Sequence, residues 1–88
     1  MNDEIRECTR TIGDALNALK ETLKGDTRRN WVTEMETLLP KDGEWTESAA
    51  DRFVTIALSV EEWGGEVEEA AQRLRFAAED IGSIIKSP

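Results

Sequence analysis

Four glutamates in the second half of the chain, Glu61, Glu62, Glu66 and Glu69, come nearest in type and spacing to a reactive constellation. Carboxylates on successive helical turns can hold a Mg²⁺ ion for nucleotide hydrolysis. Here Glu62 to Glu66 skips three residues, with Gly65 between them, and Glu79 and Asp80 follow only further along. A solvated acidic face accounts for these residues better. The remaining catalytic inventory is thin: there is no His and no Tyr, and no Ser or Cys has a plausible base beside it. Cys8 is the only cysteine, so an internal disulfide and a Cys/His zinc site are both excluded. It falls on an apolar stripe, where a thiol behaves as a small hydrophobe. The residues point to a protein that is not an enzyme and carries no cofactor or metal.

The chain that must position these residues has 88 residues, enough for one domain spanning 1–88. Its net charge is -8. Residues 1–45 hold seven Lys/Arg against ten Asp/Glu, and residues 46–88 hold four against nine. Such a chain repels nucleic-acid backbones and anionic membranes, so the expected partner is a protein. No apolar run approaches the roughly 20 residues that a membrane span needs. The acidic start Met1-Asn2-Asp3-Glu4 lacks the layout of a secretory signal. The protein is expected in the cytoplasm as made, and if exported, to leave without a cleaved signal peptide.

The strongest pattern lies in the second half. Ala49, Phe53, Ile56, Val60, Trp63, Val67, Ala70, Leu74, Ala77, Ile81 and Ile84 recur in alternating steps of four and three. That heptad seam predicts one long helix over about 46–86, with Thr46 as its N-cap. Gly64 and Gly65 interrupt it, each costing about 1 kcal/mol in a helix interior. They either break the helix or admit a close neighbour, and the preserved phase favours continuity. In the first half, Ile5, Cys8, Ile12, Leu16, Leu19 and Leu23 form one helical face, extended by Trp31, Met35 and Leu38. Either the helix runs through Gly25, or Gly25 ends it and Asp26 or Thr27 caps the next.

Pro40-Lys41-Asp42-Gly43-Glu44 has the composition of a turn, placed at 40–45 between arms of about 3–39 and 46–86. Nearly equal arms, each about 50–60 Å long, make an all-α antiparallel helical hairpin. Two helices shelter only a narrow seam, yet Val54 and Leu58 widen the second arm's apolar stripe and Val32 and Leu39 the first. Excess apolar surface of this kind marks an interface. Val32, Val54, Ile56, Leu58, Val60, Trp63, Val67 and Leu74 are its expected members, and two hairpins pairing into a four-helix bundle the expected assembly. The competing reading has breaks at Gly25 and Gly64 folding the chain into a closed three- or four-helix monomer.

Trp45 stands just ahead of the second helix, where it can staple the turn or anchor a partner. The run Trp45-Thr46-Glu47-Ser48-Ala49-Ala50-Asp51-Arg52-Phe53, with the long helix after it, resembles the Trp-x-Gly (Esx, ESAT-like) hairpin proteins of bacterial type VII secretion. Trp45, Ala49 and Phe53 match that family's turn positions, while Glu47 stands where it has Gly. The resemblance implies a hairpin that dimerises, with itself or a related hairpin, as a substrate or escort of a type VII-like system. The family's exported members often end in a Tyr-x-x-x-Asp/Glu signal. This chain has no Tyr, so a partner would supply that signal. An alternative role is an acidic inhibitor or nucleic-acid mimic of the phage-antagonist kind, acting through Glu61, Glu62, Glu66 and Glu69. The third is the Mg²⁺-dependent all-α nucleotide pyrophosphohydrolase.

Overall fold

A computed structural model describes residues 3–40 and 44–86. Four helices account for most of them: α1 (Asp3–Thr22), α2 (Arg29–Leu38), α3 (Glu47–Glu61) and α4 (Glu66–Lys86). The protein is all-α, as the periodicity predicts. The two uninterrupted arms do not form, because each is broken at its glycine.

Gly25 lies at φ 80° just past α1, a backbone setting that costs side-chain-bearing residues about 1–2 kcal/mol. Asp26 follows, its Oδ1 accepting from the Arg28 backbone N–H at 2.9 Å and its carboxylate pairing with the Arg28 guanidinium at 2.8 Å. The N-cap of α2 is Arg28, without a side-chain cap, in place of the expected Asp26 or Thr27. Gly64 and Gly65, at φ 65° and 64°, break the second arm in the same way. The chain stays right-handed up to them, with Glu62 at φ -64° and the Trp63 N–H bonded to the Val60 carbonyl. Two left-handed glycines therefore make the corner. The heptad seam could not reveal this, because its phase runs on across the break.

Thr46 caps α3, its Oγ1 accepting from the Ala49 N–H at 3.1 Å. Residues 41–43 of the expected turn lie outside the described residues.

The helices run up-down-up-down. Helix α4 packs against α1 and α3, α2 packs against the same two, and the diagonal pairs stay apart among the described residues. Antiparallel α3–α4 packing is fixed by Ala50 facing Gly82, and by Lys86 within 3.7 Å of Glu47 and 3.8 Å of Asp51. One chain thus supplies all four helices of a bundle measuring 41 × 22 × 19 Å. Its core joins Ile12, Leu16, Leu19 and Leu23 of the first segment with Val32, Met35, Phe53, Val60, Leu74 and Ile81.

Candidate interaction surface

The surface is built outward from α2. Ten residues give this helix about 15 Å of length, half that of α1 or α4. Val32 and Met35 point into the core and are fully buried. Trp31, one position from Val32, is carried to the α3 side of that face and stays 44% exposed. Its ring meets Trp63 edge-on, with centroids 6.5 Å apart at 76°. The Arg28 guanidinium lies over the Trp63 ring at 5.1 Å. Trp31 is therefore a held indole, with one side on protein and the other on solvent. Beside it a groove of about 270 Å³ runs between α2 and α3, lined by Trp31, Glu34, Arg52, Thr55, Ile56 and Ser59. Arg52 and Glu34 approach to 3.6 Å across it.

Two more large apolar side chains are open to solvent, Leu58 at 48% and Phe76 at 52%. Phe76 edges a second groove, between α1 and α4, together with Glu7, Cys8, Thr11, Arg73, Ala77 and Asp80. Partial burial, reinforced by Asp80, Glu4 and Glu7, pushes the Cys8 thiol pKa up. That environment suits a packed thiol and opposes a reactive one. A further hollow, about 560 Å³ along Glu47, Ser48, Asp51, Arg52 and Thr55, is an open depression on the outer face of α3.

The expected interface residues are dispersed by the fold. Val32, Ile56, Val60, Val67 and Leu74 are buried inside one chain, and Val54 and Trp63 are partly covered. Only Leu58 remains as exposed as a docking residue would be. Of the extra apolar stripe inferred for the two arms, Val32 is buried and Leu39 and Val54 are partly covered within the one bundle, while Leu58 stays exposed.

The turn positions are also structural. Trp45 is 9% exposed, donates from Nε1 to the Thr9 Oγ1 at 2.8 Å, and packs on Phe53 at 5.2 Å between centroids. It is a staple between the approach to α3 and α1. Phe53 is fully buried, Ala49 is packed on the core, and Glu47 is exposed near Lys86.

The acidic face is divided. Glu61 ends α3 and is held by Arg75 of α4, whose guanidinium also reaches Glu79 at 2.9 Å. Those two carboxylates hold the Arg75 pKa above its ordinary value. Glu62 precedes the glycine corner, while Glu66 and Glu69 lie in the first turn of α4. Among the described residues no three acidic or sulfur side chains gather as a metal site would require. No helix there is long and apolar enough to cross a membrane.

Sequence reasoning placed Trp31 on the buried seam and did not single out Phe76 as an exposed apolar side chain. Trp31 could have been recognised had Gly25 been taken as a break, since Val32 and Met35 then define α2's inner face alone. The packing defines the class: an all-α, up-down-up-down helical bundle. No family model, curated protein or solved structure matches the chain.

Proposed function

We propose that the protein acts by binding another protein, with Trp31 as the anchor, and that it performs no chemical step. One observation carries this reading: a half-exposed tryptophan fixed by Trp63 at the edge of an α2–α3 groove. Tryptophans in such settings are over-represented among residues that dominate binding energy, because a rigid ring buries much area at little entropic cost. The test is a photo-crosslinking amino acid at position 31, compared with the same group at exposed Arg10, in the cells that make the protein. A discrete adduct at 31 and none at 10 is expected. Equal labelling at both positions would mean chance collision and reject the anchor.

A second reading gives that binding a destination. Its support is the sequence resemblance of the run from Trp45 to Phe53 to type VII secretion proteins, a run that here leads into and begins α3. On this reading the chain is a substrate or escort of such a system, paired with itself or a related hairpin protein. In a host with the system, deleting the secretion ATPase should remove the chain from the medium without changing its cellular level. Unchanged export would end that reading and leave the anchor in place. The acidic-mimic role is less well supported, since Glu61 is engaged by Arg75.

A further inference from the structure

We propose that the chain can exchange α4 with a second copy of itself, straightening at Gly64–Gly65 so that α3 and α4 continue as one helix.

Three observations converge on this hinge. The apolar seam from Phe53 through Val60, Trp63, Val67 and Leu74 keeps its four-three spacing across a corner where the helix is interrupted. A closed corner places no demand on that phase, whereas a continuous helix needs it. The backbone obstacle is small: Glu62 is still right-handed, and the departure from helical geometry is carried by the positive φ of Gly64 and Gly65. Nothing lies within 4 Å of a Cβ built on either glycine, so the two glycines themselves meet no neighbour that would resist the change. Finally, the α3–α4 contacts are antiparallel and centred within a few residues of the hinge, including Glu61 with Arg75, Ala50 with Gly82, and Lys86 with Glu47 and Asp51. Two straightened copies placed antiparallel about that point would re-form each pair between chains. The partner is therefore this chain itself, because its own α1–α3 unit offers the slot that fits α4. Exchange of an identical element is a low-cost route to a dimer. The contacts that must change are those at the hinge, where Trp63 meets Trp31 and Arg28.

Gly64→Ala/Gly65→Ala biases the equilibrium without touching the α3–α4 contacts. It strains the left-handed corner and favours the helix, shifting the balance toward exchange by roughly a thousandfold or more. The connectivity is read with Ala50→Cys/Gly82→Cys in a Cys8→Ser background. A Cβ on Gly82 lies 3.8 Å from that of Ala50, within reach of a disulfide. With the natural hinge, oxidation at low concentration should yield a covalent monomer on a non-reducing gel. With the alanine hinge it should yield a covalent dimer. Covalent monomer with both hinges overturns the proposal, and so does a dimer in solution whose disulfides close within each chain. Should the alanine hinge fail to fold by circular dichroism, the natural-hinge cysteine pair is refolded reduced at rising concentration and then oxidised. An interchain fraction that climbs with concentration supports exchange, and a fraction that stays at zero refutes it.

Discussion

Replacing Trp45 separates a residue that holds the fold from one that holds a partner. The indole is almost fully buried, lies against Phe53, and gives its N–H to the Thr9 hydroxyl. Trp45→Ala removes a large buried ring and leaves a void, which costs about 3–5 kcal/mol. A domain of this length is stable by about 4–13 kcal/mol at the usual 0.05–0.15 per residue, so much of the stability should go. Trp45→Phe keeps a ring on Phe53 and gives up one neutral hydrogen bond, worth about 0.5–1.5 kcal/mol beyond the lost ring volume. Thr9 loses little in that variant, because its hydroxyl still donates to the Ile5 carbonyl at 2.7 Å. The reverse change is harsher: Thr9→Val strands the indole N–H, with a penalty of about 1–3 kcal/mol. Urea unfolding followed by circular dichroism, with the double variant closing the cycle, measures each of these. If Trp45→Ala loses under about 1 kcal/mol, the indole is not part of the core and the docking role returns.

Leu74→Ala should cost about 2–5 kcal/mol, whereas half-exposed Leu58→Ala should stay near 1 or below, both read by the same unfolding. Equal losses would mean that something covers Leu58. The Arg28 side chain and backbone N–H hold the Asp26 carboxyl below the usual carboxylate range. A lowered folded pKa adds stability above the unfolded value, and that contribution fades as pH falls through the lowered one. The stability difference between wild type and Asp26→Asn should accordingly be flat from neutral pH to the ordinary carboxylate range and shrink below it. Cys8 should react with a disulfide reagent at pH 7.5 more slowly than a free thiol, since burial and three carboxylates raise its pKa. Asp80→Asn should quicken it.

Helical class was legible because the apolar spacing at Ile12, Leu16 and Leu19, and again at Phe53, Val60 and Leu74, survives in the core. The Thr46 cap was legible too, since a hydroxyl before an apolar run serves one local purpose. The corners were not. A seam records which residues are inside but not whether the helix carrying them turns back, and the left-handed backbone of Gly64 shows only in coordinates. The hairpin expectation therefore counted the surface of Val32 as surplus, when α2 folds back to bury it. The acidic face is divided for a related reason. Its premise was a single helix, while Glu61 finds Arg75 fourteen positions away across a bend.

The short second helix has an architectural consequence. It spans about half the length of its long neighbours, and at the Thr9 level an indole from the approach to α3 fills in where another bundle would use a further turn of helix. There Trp45 covers the core from the non-helical residues ahead of α3. Adding one residue between Trp45 and the Thr46 cap would draw the ring out of register with Phe53 and Thr9. Relatives with a longer α2 should be found to have dispensed with a tryptophan at this position.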